Sequence, residues 1–225
     1  ELVKALKSTG KPVILVLLNG SAIAVNWENE NLDAIITAGY PGQEGGNAVA
    51  DVLFGDYNPA GRLPVTYYKS VEQLPAFDNY DMNGRTYRYF AGEPLYPFGY
   101  GLSYTNFKYS NLKIAGKAKV GEPVKVSVNL QNTGKIAGDE VVQLYLKDEK
   151  ASTPRPKHQL EGFKRISLNA GETKTVEFEL TPEQFSIIGK DDKRITEPGW
   201  FTIWLGGGQP GSGSPTVKGR VQLTN

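Results

Sequence analysis

Carboxylates are the reactive side chains that this 225-residue sequence offers in number, with 24 Asp and Glu residues against no cysteine and one histidine, His158. Without cysteine there are no disulfides, thiolate nucleophiles or zinc fingers, and one histidine makes a Ser-His-Asp triad or a His-based metal site hard to assemble. Glycosidase-type chemistry remains, which requires two carboxylates about 5–5.5 Å apart for retention or roughly 6.5–9.5 Å apart for inversion. Local sequence shows no such pair, so we predict no catalytic residue and no metal site within this chain.

The densest group of aromatic and charged residues lies between positions 77 and 109. Its eleven rings are Phe77, Tyr80, Tyr87, Tyr89, Phe90, Tyr96, Phe98, Tyr100, Tyr104, Phe107 and Tyr109. Interleaved charges, among them Asp78, Arg85 and Arg88, give the segment the composition of a sugar-binding surface, where rings stack on pyranose C–H groups. Rings at a seam between two domains have the same composition, and we favour that interpretation for most of them.

Two further residues could carry chemistry, and each has a simpler explanation. Glu44 precedes a predicted helix, where a carboxylate is stabilised by the helix dipole or by backbone amides, and we favour this over a catalytic role. The surrounding glycine-rich loop lacks the spacing of a nucleotide-binding motif. His158 lies at the predicted entry of a strand and is interpreted as a surface or interface residue rather than a ligand.

The first half of the chain has the pattern of α/β layers. Leu2, Val3 and Leu6 share one helical face, and the apolar run 13–18 that follows is typical of a parallel strand covered on both faces. A second strand is predicted at 33–38 and a short amphipathic helix at 46–54. Residues 63–68 are predicted as a last, edge-like strand, because Pro64 cannot donate a ladder hydrogen bond.

From about residue 106 the hydrophobic period changes to two, as in half-buried antiparallel strands. The clearest alternating segments are 124–130, 142–146, 176–180, 200–205 and 220–223. Roughly seven short strands without a long helix indicate an immunoglobulin-like β-sandwich. The predicted fold class is therefore a partial α/β layered sandwich followed by an all-β immunoglobulin or fibronectin type III-like sandwich.

The charge balance limits the partners that the sequence favours. With 25 Lys and Arg against 24 Asp and Glu, the net charge of +1 predicts neither nucleic-acid binding nor membrane binding. The longest apolar run, at 13–18, is far short of the roughly 18 residues of a membrane-spanning helix. Homo-oligomerisation is kept as an alternative, because composition does not determine the oligomeric state.

Several ordered motifs resemble glycoside hydrolase family 3, the β-glucosidase family. They are residues 11–20 (KPVILVLLNG), 38–46 (AGYPGQEGG), 50–55 (ADVLFG), 58–64 (NPAGRLP), 87–90 (YRYF) and 97–104 (PFGYGLSY). Farther along, residues 141–145 (VVQLY), 154–156 (PRP), 159–163 (QLEGF) and 170–173 (AGET) resemble the fibronectin type III-like domain that ends many members. The resemblance extends over essentially the whole chain.

The resemblance implies that residues 1–105 are the C-terminal part of the family's α/β sandwich domain with an aromatic-rich linker, and that residues 106–225 are the fibronectin type III-like domain. Family members place their active site between a barrel domain and the sandwich domain, with an aspartate nucleophile and, in many members, a glutamate acid/base. Both residues are expected upstream of Glu1. The implied activity is retaining hydrolysis of terminal β-D-glucosides or related β-glycosides, with no cofactor and with the upstream, barrel-containing part as partner.

Residues 77–90 are the segment that we expect to approach the substrate, and we predict Asp78, Tyr80, Arg85 and Tyr87 as substrate-binding residues. A different class of function is also open, namely a stand-alone carbohydrate-binding or adhesion module without catalysis. Exposed rings along one sheet face would favour that module, but Trp200 and Trp204 share the parity of Thr202 and could face core or solvent. Family habit implies a periplasmic or secreted location.

Overall fold

The computed structural model describes all residues from 1 to 225 and divides them into two compact units. The first unit consists of residues 1–57 and 65–97, and the second of residues 58–64 and 98–225. The chain therefore leaves the first unit for seven residues, returns to it, and leaves it again. The predicted division between residues 105 and 106 stays a prediction, and no sequence pattern indicated the excursion at 58–64.

The first unit contains four helices and a small parallel sheet. Its elements are α1 (Leu2–Lys7), β1 (Ile14–Leu17), α2 (Asn26–Asn31), β2 (Ala34–Thr37), α3 (Gly45–Phe54), a 3₁₀ turn (Val71–Gln73) and α4 (Thr86–Tyr89). Strands β1 and β2 pair in parallel, with Ile14 opposite Ala34 and Leu17 opposite Thr37. The two predicted helices and two predicted strands are present, but helix α2, which was not predicted, lies between the strands. Gly55 ends α3 in the left-handed conformation that favours glycine.

One prediction for this unit is wrong, and another is confirmed in part. The apolar run 13–18 contains a parallel strand, as predicted, and within this chain the sheet leaves Ile14 47% and Leu18 62% exposed, so its coverage on both faces stays a prediction. Residues 63–68 form no strand; a single bridge joins Tyr67 to Tyr96. Pro64 supplies no donor at this position, and the chain passes from one unit to the other there.

The second unit is a sandwich of a three-stranded and a five-stranded sheet. The strand orders are β3-β5-β8 and β4-β12-β11-β6-β7, and a short pair joins β9 to β10. The bounds are β3 (Phe107–Ile114), β4 (Lys117–Lys119), β5 (Val124–Asn132), β6 (Gly138–Asp148), β7 (Gln159–Leu168), β8 (Thr173–Leu180), β9 (Ile187–Ile188), β10 (Arg194–Ile195), β11 (Gly199–Gly206) and β12 (Thr216–Thr224). Alternate residues face the core, so Val128, Leu144 and Ile203 are fully buried.

Segment 58–64 contributes a buried charge to the sandwich. The guanidinium of Arg62 donates from Nη2 to both carboxylate oxygens of Glu140 at 3.1 Å, and from Nε to the carbonyl oxygen of Gly207 at 3.3 Å. The two side chains are only 9% and 5% exposed. Asn58 adds a bond from its Nδ2 to the carbonyl oxygen of Ala137. The sandwich therefore includes a segment that precedes it by some forty residues in the chain.

Burial controls the protonation of this cluster. It raises the pKa of the Glu140 carboxyl, and the positive charge of Arg62 partly offsets that increase. The pKa of the neighbouring Tyr109 phenol is raised well above its ordinary value, mainly by burial and then by the charge of Glu140. Removal of Arg62 would leave an ionised carboxylate without its compensating cation in a site that excludes water.

His158 lies in the sandwich among other rings. Its imidazole meets the ring of Tyr145 at 5.5 Å and that of Trp204 at 6.4 Å between centroids, both in edge-on geometry. The pKa of His158 is lowered to about 4, mainly by burial and to a smaller extent by nearby Lys157 and Lys147, whereas a hydrogen bond with Gln209 opposes the shift. The half-buried side chain is therefore neutral at physiological pH.

Replacing Arg62 with Met is expected to destabilise the sandwich by roughly 3–5 kcal/mol at pH 8, because Glu140 would remain buried without its partner. The loss should be smaller at pH 5. Folding already raises the pKa of Glu140, so this group favours the folded state at low pH, and that contribution is lost as the pH rises above the ordinary value of 4.5. In Arg62→Met the pKa of Glu140 in the folded state is raised further, so the free energy of unfolding decreases more between pH 5 and pH 8.

Urea unfolding monitored by tryptophan fluorescence measures this effect, in a Trp27→Phe background so that Trp200 and Trp204 of the sandwich report. The double variant Arg62→Met/Glu140→Leu is the matched control and should recover most of the lost stability, because neither charge remains buried. A loss below about 1 kcal/mol that does not vary with pH would contradict a buried, interdependent pair.

Candidate functional site

Residues 76–85 of the first unit form a compact loop around the side chain of Arg85. The guanidinium donates from Nη2 to the carbonyl oxygens of Asn79 at 2.6 Å and Ala76 at 3.1 Å, and from Nε to that of Asp81 at 3.2 Å. The backbone amide of Arg85 also donates to the carbonyl oxygen of Met82 at 3.0 Å. One cation therefore satisfies three backbone acceptors and holds the loop closed.

The local sequence favours this loop. Asn79 Oδ1 accepts the amide proton of Asp81, and Asp81 Oδ1 accepts that of Asn83, each at 2.9 Å, which are the side-chain turns that Asn and Asp form readily. Gly84 follows with φ of 77°, a conformation that favours glycine. Helix α4 begins directly afterwards, and the amide of Thr86 donates to the hydroxyl of Tyr68 at 2.9 Å.

The loop exposes two large rings. Phe77 is 100% exposed and Tyr80 is 93% exposed, with Asp78 between them also exposed. Neighbouring Met82 is 47% exposed. Adjacent exposed rings on a loop that is held in one conformation are typical of a binding surface, since the loop needs no further ordering when a partner binds.

The structure divides the four predicted substrate-binding residues into two groups. Asp78 and Tyr80 lie on the exposed tip. Arg85 lies inside the loop, where its guanidinium is engaged by backbone carbonyls. Tyr87 is half-buried on α4, and Arg88 stacks over its ring at 5.9 Å from the centroid. A role in substrate binding stays a prediction for all four residues.

Other rings of the aromatic segment pack within their own unit. Tyr96 meets Tyr67 edge-on at 6.0 Å in the first unit, and its hydroxyl donates to Asn29 Oδ1 at 2.6 Å. Tyr109 is buried in the sandwich core. These rings act as structural residues within one unit, and the expectation that most of the segment lies at a seam between domains stays a prediction.

Glu44 lies at the N-terminal end of α3, as predicted. Its side chain makes no capping bond to the helix amides. Instead, Oε2 accepts a hydrogen bond from Nδ2 of Asn47, one turn along the helix. Glu44 thus orients a neighbouring side chain and does not cap the helix.

Comparison with known proteins decides the family. Residues 1–104 match the family description Glycosyl hydrolase family 3 C-terminal domain, and residues 140–209 match Fibronectin type III-like domain. A beta-xylosidase of Formosa agariphila is 44% identical over an alignment of 224 positions that covers 97% of this chain and 31% of that protein. A periplasmic beta-glucosidase of Salmonella typhimurium is 45% identical over 92% of this chain and 29% of its own length.

The chain belongs to glycoside hydrolase family 3. Solved structures agree, since beta-glucosidase 3B from Thermotoga neapolitana superposes with a TM-score of 0.90 at 32% identity over 100% of this chain and 33% of that one. A beta-glucosidase from Listeria innocua in complex with isofagomine gives 0.88 at 35% identity, again over 100% of this chain and 33% of that one. The family resemblance and the predicted fold class are confirmed, and the chain spans about a third of the length of these relatives. No helix is long and apolar enough to cross a bilayer.

Arg85→Ala is expected to open the loop without unfolding the unit, because it removes three charge-assisted bonds to carbonyls and no core contact. Hydrogen exchange of the amides between residues 79 and 85 should become roughly 10- to 100-fold faster, which corresponds to the loss of about 1.4–2.7 kcal/mol of local stability. Tyr80→Ala is the matched control, since its ring is almost fully exposed and should leave exchange unchanged. Equal protection in Arg85→Ala and the unsubstituted chain would show that the backbone turns alone hold the loop.

Proposed function

We propose that this chain works as the C-terminal part of a retaining β-glycosidase that hydrolyses terminal β-D-glucosides or related β-glycosides. The observation that carries the proposal is the family match at 44–45% identity over more than nine tenths of the chain, to proteins named beta-xylosidase and beta-glucosidase. Beta-glucoside and beta-xyloside hydrolysis share one bond type, so the proposal covers both substrate classes.

The chemistry of bond cleavage is assigned to polypeptide upstream of Glu1. A retaining mechanism needs one carboxylate as nucleophile and another as acid/base, and no carboxylate of this chain matches the family's nucleophile motif. Within the complete enzyme the chain would supply scaffold and a wall of the cleft, with no cofactor.

Exposed apolar residues of the first unit support such a partner. Leu18 is 62% exposed, Leu2 74%, Tyr40 82% and Phe54 84%. The two-stranded sheet also leaves a strand edge on each side without a neighbour. Apolar surface of this extent on a small unit is costly in water. The barrel-containing part of the enzyme is the partner that we propose to cover it.

The exposed tip of the loop is the part of the chain that we place nearest the substrate. Tyr80 offers a ring face for stacking on a pyranose, and Asp78 offers a carboxylate acceptor for sugar hydroxyls. In this proposal Arg85 holds the loop in shape and Tyr87 supports it from α4, so both act as positioning residues. A periplasmic or secreted location is part of the proposal, with the periplasmic beta-glucosidase of Salmonella typhimurium as support.

Hydrolysis is expected only when both parts are present. The 225-residue chain alone should release no detectable nitrophenol from an aryl β-glucoside or aryl β-xyloside, whereas coexpression with the upstream barrel-containing part of the same enzyme should restore turnover. The ratio of the rates on the aryl β-glucoside and the aryl β-xyloside then shows which sugar the enzyme prefers. Hydrolysis by the 225-residue chain alone would overturn the assignment of the nucleophile and the acid/base to the upstream part.

Tyr80→Ala in the complete enzyme is expected to raise KM about five- to tenfold while kcat changes little, because a stacking contact made equally in ground and transition states contributes to binding alone. Tyr104→Ala is the matched control, as Tyr104 is 51% exposed and belongs to the second unit. An unchanged KM for Tyr80→Ala would show that the loop does not contact the substrate. It would not contradict the proposed β-glycosidase activity.

A further inference from the structure

The two tryptophans of β11 face away from the sandwich core. Phe201, Ile203 and Leu205 point into it and are at most 2% exposed. Because side chains alternate along a strand, Trp200, Thr202 and Trp204 lie on the opposite, outer face of the five-stranded sheet. Trp200 is 39% exposed and Trp204 is half-buried. The structure thus decides an orientation that sequence parity left open.

Strand register places basic residues beside these indoles. Thr202 pairs with Lys147 on β6 and with Arg220 on β12, and in the next row Trp204 pairs with Tyr145 and Lys218. We call the surface of Lys147, Trp200, Trp204, Lys218 and Arg220 the basic-aromatic face. Its rows repeat about 6.8 Å apart along the strands, so the cations form an extended array rather than a pocket.

Direct contacts join the charges to the rings. The guanidinium of Arg220 lies 4.4 Å from the ring centroid of Trp200, and Nζ of Lys218 lies 5.7 Å from that of Trp204. Such cation–π contacts favour one relative orientation of cation and ring, and Glu149 also holds Arg220 in place. The face is therefore ordered before any ligand arrives, which reduces the entropy cost of binding.

Positive charge exceeds negative charge on this face. Glu149 accepts from Arg220 Nε at 2.8 Å and Nη2 at 2.6 Å, and from the hydroxyl of Thr202. Lys147 and Lys218 are exposed and form no ion pair. After the Arg220–Glu149 pair is counted, two lysines remain to attract an anion in a chain whose overall net charge is only +1.

A ligand that suits both parts of the face has ring C–H groups for an indole and carboxylates for the lysines. We propose that the basic-aromatic face binds a polysaccharide carrying carboxylates, of the uronic-acid class. Membership in a glycoside hydrolase family favours a carbohydrate over other polyanions. Cations spread over two neighbouring strand rows, rather than gathered in a concave pocket, suit a polymer and not a single sugar. This binding is independent of hydrolysis by the complete enzyme.

Calorimetric titration of the 225-residue chain with polygalacturonate tests the proposal, with methyl-esterified polygalacturonate as the matched ligand because it keeps the sugar rings and removes the charges. We expect binding of the acidic form alone, weakened by added salt. Lys147→Gln/Lys218→Gln should weaken it roughly three- to tenfold. The control pair Lys108→Gln/Lys125→Gln, exposed on the three-stranded sheet, should leave it unchanged.

Trp200→Ala separates the ring from the charges. It should weaken polygalacturonate binding about tenfold yet leave any attraction to dextran sulfate unchanged, with circular dichroism confirming the fold. The lysine variants keep the test decisive if Trp200→Ala does not fold. Equal binding of the esterified polymer, equal losses in the control pair, or binding to phosphatidylglycerol vesicles without binding to polygalacturonate would each overturn the proposal.

Discussion

The buried pair of Arg62 and Glu140 is the interaction on which the organisation of this chain depends. An ionised carboxylate in a sandwich that excludes water is unfavourable unless a cation compensates it, and the compensating cation comes from segment 58–64. The strands from residue 106 onward are therefore incomplete by themselves. The chain on either side of segment 58–64, residues 1–57 and 65–97, belongs to the first unit, so the sandwich takes this cation from a segment that is separated from its strands in the sequence.

The two units differ in how well they bury apolar surface, and this difference follows from their strand number. Eight main strands in two sheets give the sandwich a core in which residues such as Val128 and Leu144 have no exposed surface. The parallel sheet of the first unit has only β1 and β2, so residues with the same apolar character remain on the surface. The sandwich resembles a finished domain, whereas the first unit has the surface of a protein part that packs against something else.

Polar contacts give both proposed binding surfaces their shape. Around Arg85, carbonyl acceptors converge on one guanidinium and hold Phe77 and Tyr80 outward. On the sandwich, Glu149 fixes Arg220, and Arg220 in turn fixes the indole of Trp200. On the sandwich a charged group contacts the ring itself, whereas in the loop a charged group holds the backbone that carries the rings. Rings that are ordered in advance bind ligands with less loss of conformational entropy.

The sequence alone determined the most regular elements and the family, because hydrophobic period and turn residues are local properties. The alternation at 124–130 and 142–146 predicted β5 and β6, and ordered motifs such as residues 97–104 identified glycoside hydrolase family 3. For residues 63–68, Pro64 was a correct local signal against ladder bonding, but the apolar residues around it led to a wrong strand prediction.

Only the tertiary structure decided which residues meet. Arg62 and Glu140 are distant in sequence and unremarkable in composition, so their pairing has no local signal. The alternation of side chains along a strand placed Trp200 and Trp204 on the same face. It did not show whether that face is the core or the outer face, since either side of a strand in a sandwich can be the core side. Arg85 was predicted from its residue type to contact substrate, whereas the fold engages its donors with carbonyls of its own loop. Each of these outcomes depends on long-range geometry, because a side chain's role is set by the atoms that the fold brings within bonding distance.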